Sequence, residues 1–359
     1  MQIDLKKLDS IVPKFQRFLE TEGQQWSEER HLKDEFFEKY FSKEGIEQLE
    51  AGTLRELIHI LWAFNGWTNK DYLLHRMMES GLPTIQEAFK QLFYGDNPIK
   101  ERFDFIRKNV KMLGAACISE MLTHHDHKKY PIYNSRSKDG LLKLGIPEDE
   151  LPKSRQISGT QYAHFTELME TVRKQVSEKF PEFSDLFALD FLLYFISTQP
   201  DTKSKTVPPE ITVDDFDHDA VIEQVLELGD GLGFEVDSEF TVMRGCRIDA
   251  IWRSRVANLG TIAYAFEVHR KGSRDSAILN LQRVRRDPAI QKVIIVSSRE
   301  ELAKFQQEIS SLEEGFRTSV GYFEVQELQD ALEHLQDLKD IMKTLGLLRQ
   351  ESFLDIARE

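Results

Sequence analysis

The chain has 359 residues, of which 40% are hydrophobic and 30% are charged, a composition typical of folded globular proteins. At roughly 150 residues per domain, this length predicts two or three domains. The formal net charge of −14 argues against a general basic coat for nucleic acid, and two cysteines exclude a disulfide scaffold or a Cys-rich zinc module.

The sequence gives no indication of a membrane segment. The longest apolar run, 187–197, is too short and too interrupted to span a bilayer. The first ten residues lack the apolar segment that a signal peptide requires. Because cysteines are so few, a reducing cytoplasm is the natural compartment. We therefore expect a cytoplasmic protein without a membrane partner.

An all-helical domain is predicted over 1–198. Apolar residues recur there at the helical spacings of three and four, most clearly in 8–20, 36–49, 53–64, 84–94 and 164–180. Strand-like alternation is almost absent. The polar, Pro-rich stretch 199–214 then predicts a linker.

One part of this helical region, 113–147, carries a further pattern. A small-residue helix over 113–122 is followed by a polar turn, the run 131–134 and an amphipathic helix that ends at Gly145. The arrangement resembles the helix-hairpin-helix modules of DNA glycosylases. Asn134 stands where their catalytic Asp falls, so glycosylase activity is not expected.

Similar helical segments precede nuclease or ATPase modules in prokaryotic restriction and defence proteins. This resemblance implies that the region contacts DNA through Lys128, Lys129, Arg136 and Lys138. A helical packing or dimerisation domain is the alternative. The neighbouring histidines 124, 125 and 127 are not expected to form a zinc site, because no second cluster completes a tetrahedral set.

After the linker, over 215–359, the pattern changes to alternating helices and strands. The predicted order is a helix over 217–232, strands over 234–242, 246–253 and 261–269, a helix over 276–286, a strand over 292–298, a helix over 300–312, a strand near 321–325 and a helix over 328–347. This order predicts a mixed sheet flanked by helices. The whole chain is therefore predicted to be a two-domain α+β protein.

The two middle strands carry the residues most indicative of chemistry. A hairpin centred near position 258 pairs residues whose numbers sum to about 516, which places Asp249 opposite Glu267. His269 follows two residues later and shares their face. Two facing carboxylates repel unless one is protonated or a cation lies beside them, and such oxygen ligands suit Mg²⁺. An exposed sheet face with chance acidic residues would give the same pattern.

These residues and the order of elements resemble the PD-(D/E)XK nuclease superfamily, the restriction-endonuclease-like fold. Its motif is an Asp on the second strand of a meander, then an acidic residue, one spacer and a Lys on the third strand. Asp249 and Glu267 match the two acidic positions. The resemblance covers about 215–300 and implies a metal-dependent nuclease that uses Mg²⁺ or Mn²⁺.

Two further positions match the family. Many members carry a Glu on the first helix about ten residues before a Gly-aromatic pair, as Glu223 does here, and some carry a Gln on the following helix, as Gln282 does. The resemblance therefore implies that Glu223, Asp249 and Glu267 hold the metal and that Gln282 orients the attacking water.

The chain departs from the motif at one position, where His269 replaces the Lys that positions or activates water. A neutral imidazole could accept the proton of that water instead, or Lys271, which shares the same face, could reach back. The alternative for His269 is a polar residue at a strand end. The departure puts catalysis in doubt and leaves nucleic-acid binding almost untouched.

A basic island surrounds the proposed site, although the chain as a whole is acidic. Residues 251–300 contain 10 Lys+Arg against 4 Asp+Glu, whereas 201–250 contain 4 against 13. The island predicts a phosphate-binding surface formed by Arg270, Lys271, Arg274, Arg283, Arg285 and Arg286, with the helix N-terminus near Ser273. A solvated helix face is the alternative.

The sequence therefore predicts a Mg²⁺- or Mn²⁺-dependent endonuclease that hydrolyses phosphodiester bonds. DNA is favoured over RNA by the family resemblance alone, and a role in restriction or anti-phage defence rests on analogy. Cleavage of both strands would suggest a homodimer. The alternative is a catalytically inactive nuclease-like module that binds DNA or a partner protein. A small-molecule enzyme finds little support, because neither a Walker loop nor a dinucleotide-binding turn is present.

Overall fold

The computed structural model of the chain describes residues 3–21, 23–199, 216–243, 246–255 and 260–347. Nearly all of the predicted linker and most of the predicted hairpin loop, 256–259, lie outside the described residues. The chain divides into two compact units. Among the described residues, the first comprises 3–65 and 70–199, and the second comprises 66–69 and 216–347.

The first unit is helical, and none of its described residues lies in a strand. Its helices are α1 (Leu5–Thr21), α2 (Gln24–Tyr40), α3 (Lys43–Glu47), α4 (Ala51–Ile60), α5 (Lys70–Met78), α6 (Leu82–Tyr94), α7 (Ile99–Asn109), α8 (Ala115–His125), α9 (Ser135–Lys143), α10 (Gly159–Lys179) and α11 (Leu186–Thr198). The predicted helical character of this part is confirmed.

Two predicted helices of the first unit are wrong in extent, and local hydrogen bonding explains one of them. The helix predicted over 36–49 is broken, because the Ser42 side chain accepts a hydrogen bond from the Gly45 N–H at 3.0 Å and starts α3. The helix predicted over 53–64 ends at Ile60 and continues as a separate 3₁₀ turn, Trp62–Phe64. Asn134 is likewise a helix cap, since its side chain accepts from the Ser137 N–H.

The interior of the first unit holds a buried ionic cluster. The Lys33 ammonium is fully buried, lies 3.3 Å from a Glu120 oxygen and sits 3.4 Å from the centre of the Trp62 ring. Glu120 also accepts the backbone N–H of Trp62. The His124 ring is buried as well, with Nδ1 2.8 Å from Asp34. These contacts give the charged residues of this unit a structural role.

The second unit is built on a five-stranded mixed sheet. Its elements are α12 (His218–Gly231), β1 (Glu235–Met243), β2 (Cys246–Arg255), β3 (Thr261–Val268), α13 (Arg274–Val284), β4 (Ile290–Ser297), α14 (Arg299–Ile309), α15 (Glu314–Arg317), β5 (Val320–Glu324) and α16 (Val325–Thr344). The strands lie in chain order; β1, β2 and β3 are antiparallel, and β4 and β5 add parallel to β3. Apart from the short α15, this is the predicted order of elements.

Helices cover both faces of the sheet. On one face, the Trp252 indole donates to the Val225 carbonyl of α12 at 3.0 Å and packs on Phe266. Gly229 makes that approach of α12 feasible, because a Cβ there would lie 2.4 Å from the indole nitrogen. On the other face, the buried side chains of β2, β3 and β4 pack with those of α13 and α14. The mixed sheet flanked by helices is thus confirmed.

The register of the central hairpin is the one predicted from the sequence. Ala250 pairs with Phe266, Ile251 with Ala265, and each pair sums to 516. Asp249 and Glu267 are the next residues along the two strands, directly beyond the Ala250–Phe266 pair. The hydrophobic pattern fixes this register, because a slip by one residue would turn the buried side chains outward.

Candidate functional site

A cleft of about 340 Å³ opens at the end of the β2–β3 hairpin. The start of α12, the two strands, the loop after β3 and the first two turns of α13 contribute to its wall. The lining residues are His218, Asp249, Glu267, Val268, His269, Arg270, Lys271, Gly272, Ser273, Ser276, Ala277 and Asn280. The cleft therefore collects four of the five predicted catalytic residues and two of the three predicted metal ligands.

Asp249 is held in place by its neighbours on both sides. Its Oδ2 accepts the Val268 backbone N–H at 2.7 Å, so the third strand fixes the side chain of the second. The same oxygen lies 3.5 Å from Nε2 of His218, which α12 brings to the cleft.

Glu267 is the less solvated of the two carboxylates. Burial, and secondarily the charge of Asp249, raise its pKa to about 8. Its Oε2 is buried and has no hydrogen-bond partner among the described residues. An ionised carboxylate in this position carries a charge that neither water nor a described donor at Oε2 offsets.

His218 was not among the residues predicted for the site. Its Nδ1 lies 2.9 Å from the Asp219 carboxylate, and its Nε2 faces Asp249. Hydrogen bonding to Asp249, and then to Asp219, raises the pKa of His218 to about 9. A protonated imidazole therefore stands beside the carboxylates at neutral pH.

The α13 residue that reaches the carboxylates is Asn280. Its amide nitrogen donates to the Arg247 carbonyl at 2.6 Å, its oxygen lies 3.1 Å from the Cys246 sulfur, and it hydrogen-bonds Glu267. The amide thus connects β2 and β3 to α13. Gln282, the predicted residue of this helix, is not among the residues that line the cleft.

The residue at which α13 begins explains why Asn280, and not Gln282, lines the cleft. The Ser273 side chain accepts the Ser276 N–H and begins the helix at Arg274, two residues before the predicted start. Ser273, Ser276, Ala277 and Asn280 then recur at spacings of three and four, so they share a face. This spacing is visible in the sequence and could have indicated Asn280.

His269 lies in the cleft wall and is buried. Its ring meets the Phe305 ring edge-on at 4.9 Å, and its Nε2 lies 3.9 Å from a Glu301 oxygen. Burial lowers the pKa of His269, so its imidazole is neutral at pH 7. Lys271, the other candidate for assisting water, is exposed at the mouth of the cleft.

The remaining predicted residues do not gather at the cleft. Glu223 lies in α12, five residues beyond His218, and does not line it. Arg274 is held by Glu308 at 2.6 Å and Glu301 at 2.9 Å. The cluster Arg283, Arg285 and Arg286 lies at the far end of α13, about 15 Å from its start at 1.5 Å per residue. Lys128, Lys129, Arg136 and Lys138 belong to the first unit.

Of the predicted basic surface, only Arg270 and Lys271 line the cleft. The basic island of the sequence is therefore divided in space, and its centre is neutralised by carboxylates of α14.

The donor chemistry of the cleft fits a divalent cation. Asp249 and Glu267 line it together, and the buried Oε2 of Glu267 has no hydrogen-bond partner among the described residues. Within the described ranges, however, no group of three or more His, Cys, Asp and Glu side chains is arranged to hold a metal ion as the side chains stand.

Comparisons with protein-family models, with curated proteins and with solved structures find no match for the chain.

In the part of the chain that the structure describes, no helix has both the length and the apolar character needed to cross a membrane.

Proposed function

We propose that the cleft is the active site of a metal-dependent nuclease that hydrolyses phosphodiester bonds, with DNA as the favoured substrate. The observation that carries the proposal is the pairing of Asp249 with Glu267 in one cleft, with a buried Glu267 oxygen that has no described partner. The order α12–β1–β2–β3–α13–β4 supports a restriction-endonuclease-like fold.

Asp249 and Glu267 would hold Mg²⁺ or Mn²⁺. When bound, such an ion lowers the pKa of a coordinated water and stabilises negative charge on a phosphate. The protein supplies the remaining parts. Arg270 and Lys271 attract the phosphate, and the exposed start of α13 presents backbone N–H groups to it.

Proton transfer would fall to a residue at the position of the missing motif Lys. The neutral His269 imidazole can accept a proton, which fits the task of a general base. Lys271 at the mouth is the alternative for orienting the water.

Nicking of supercoiled plasmid with Mg²⁺ or Mn²⁺ tests the proposal. We expect Asp249→Asn and Glu267→Gln to lower the rate by about 1,000-fold or more, since each removes charge from the proposed metal site. Glu300→Gln is the matched control, because this exposed carboxylate of α14 lies outside the cleft. A wild-type protein that never cuts, or cutting that survives both substitutions, would refute a nuclease active site here.

A second candidate function is a DNA-binding or partner-binding module that has lost catalysis. Two observations favour it: the His218 imidazole already lies beside Asp249, and His269 faces Glu301. Tight DNA binding without cleavage in either metal would establish this alternative. A role in restriction or anti-phage defence stays a prediction for both.

A further inference from the structure

The first unit contains a cavity of about 480 Å³, lined by residues of α1, α2, α11 and the 3₁₀ turn Pro181–Phe183. We propose that this cavity binds a small amphiphilic amine, with its apolar body between aromatic side chains and its ammonium group at an acidic rim. The inference goes beyond the proposed function and is independent of it, because the cavity and the cleft share no lining residue.

The walls of the cavity are apolar. Phe15 and Leu19 lie one turn apart on α1 and therefore line the same side of the helix. The Phe183 ring packs against Phe15 with ring centres 5.8 Å apart, and Phe191 of α11 borders the same space. A volume of this size lies in the range of pockets for small molecules, and aromatic walls favour an apolar or aromatic ligand body.

The rim of the cavity is acidic. Gln16 and Glu20 lie one turn apart on α1, next to the apolar pair of wall residues, and Glu182 lies in the 3₁₀ turn. Gln16 Nε2 donates to Glu182 Oε1 at 2.8 Å, which connects the two parts of the rim. Both glutamates are exposed, and neither forms an ion pair with a lysine, arginine or histidine in the described part of the chain. Two uncompensated negative charges therefore border the opening.

Arg30 is the one cation among the described residues that line the cavity, and its charge is already compensated. The guanidinium lies 3.6 Å from Asp34 and 3.8 Å from Asp185, and it covers the Phe187 ring at 4.2 Å. An anionic ligand would have to compete with two carboxylates for this arginine and would meet the two rim glutamates. The charge that the cavity leaves unpaired is negative, so the complementary ligand is a cation.

The space is open because one wall residue is small. Ala188 lines the cavity three residues before Phe191, so both lie on the side of α11 that faces it. The substitution Ala188→Leu therefore adds a side chain to the cavity without removing an existing apolar contact. This variant should block the cavity and keep the fold.

Three probes of similar shape test the charge of the ligand. Phenethylamine is a cation at neutral pH, phenethyl alcohol is neutral and phenylacetate is an anion. In calorimetry with the full-length protein, we expect the amine to bind about fivefold more tightly than the alcohol, which is the size of effect that exposed ion pairs supply. The alcohol should in turn bind more tightly than phenylacetate.

Variants of the rim test where this preference comes from. In the double variant Glu20→Gln and Glu182→Gln, the amine should lose its advantage over the alcohol. Glu178→Gln is the matched control, because Glu178 is an exposed carboxylate of α10 outside the cavity, and the preference should persist in it.

The position of the ligand is tested with protein labelled with ¹³C at alanine methyl groups. The methyl signal of Ala188, assigned by its absence in Ala188→Leu, should shift when phenethylamine is added. Ala188→Leu should weaken binding of the amine about tenfold or more, because the added side chain crowds the ligand, while its thermal unfolding stays close to that of the wild type.

Several results would overturn the inference. Equal affinity for the three probes, or a preference for phenylacetate, would refute a cationic ligand. An unshifted Ala188 methyl signal would refute the location, and so would undiminished binding to a folded Ala188→Leu variant. Absence of any binding of phenethylamine at millimolar concentration would refute both. If Ala188→Leu does not fold, the double glutamine variant and the methyl signals of the wild type still decide the question.

Discussion

The substitution Glu267→Gln should stabilise the metal-free protein above neutral pH. The folded-state pKa of Glu267, about 8, is raised from an ordinary value of 4.5. The stability that this group contributes is therefore fully present below about pH 4.5 and is lost as pH rises through about 8. Glutamine keeps the shape of the protonated acid and does not ionise, so it avoids this loss.

The size of the expected gain in stability follows from the shift of the Glu267 pKa. At pH 7 the carboxyl is forced to stay protonated about 2.5 pH units above its ordinary pKa, which corresponds to about 3.5 kcal/mol at about 1.4 kcal/mol per unit. Partial exposure of the side chain reduces this to about 2 kcal/mol. The variant should thus match the wild type at pH 4.5 and exceed it by about 2 kcal/mol at pH 7.

Mn²⁺ should reverse the order of stability. The ion must displace the proton of Glu267, so its affinity for the wild type rises about tenfold per pH unit and levels off near pH 8. Thermal unfolding of the wild type and of Glu267→Gln at pH 5, 6, 7 and 8, with and without Mn²⁺, tests each of these expectations.

The same unfolding measurements can contradict the expected dependence of stability and of Mn²⁺ binding on pH. Equal destabilisation of Glu267→Gln at pH 5 and pH 8 would mean that the carboxyl is ionised and satisfied in the folded protein. A Mn²⁺-induced increase in Tm that is the same at pH 6 and pH 8 would mean that no proton is displaced from the site.

Three further results are expected. Asn280→Ala should weaken Mn²⁺ binding about tenfold, because the amide positions Glu267, whereas Gln282→Ala, outside the cleft, should leave the affinity measured by calorimetry unchanged. Glu120→Ala should lower the free energy of unfolding by about 3–5 kcal/mol in urea titrations, since it leaves the fully buried Lys33 ammonium with Glu29 alone at 3.5 Å and removes the acceptor of the Trp62 and Ala63 backbone N–H groups; a change under 1 kcal/mol would contradict this. Lys271→Ala should weaken DNA binding and reduce the salt dependence of log Kd by about one, and an unchanged slope would place the phosphate elsewhere.

The parts of the site that the sequence predicted are those fixed by local pattern. Alternating apolar residues and a single turn determine the β2–β3 register, and this register brings Asp249 and Glu267 to the same end of the two strands. Any sequence-based reading that placed the turn correctly would place both carboxylates on one face.

The features of the site that the sequence did not predict depend on helix phase and tertiary packing. A shift of two residues in the start of α13 is enough to exchange Gln282 for Asn280 at the cleft. His218 is 31 positions from Asp249, and only the packing of α12 on the sheet brings them together. The charge pattern could not show that Glu301 and Glu308 neutralise Arg274, because these residues meet through the packing of α13 and α14.

The two candidate functions differ in how DNA binding depends on a divalent cation. Without an ion, Glu267 stays protonated at pH 7 and the His218 imidazolium offsets the charge of Asp249, so the two carboxyl positions offer an entering phosphate no cation to bind. A nuclease should therefore bind DNA in this cleft more tightly with Ca²⁺, a hard cation that carboxylates bind, and the gain should disappear in Asp249→Asn. A binding module that uses His218 as a permanent counter-ion should show the same affinity with Ca²⁺ and with a chelator. Fluorescence anisotropy with a labelled duplex at constant ionic strength distinguishes them, because a Ca²⁺-independent Kd in the wild type is incompatible with a metal-bridged phosphate in the cleft.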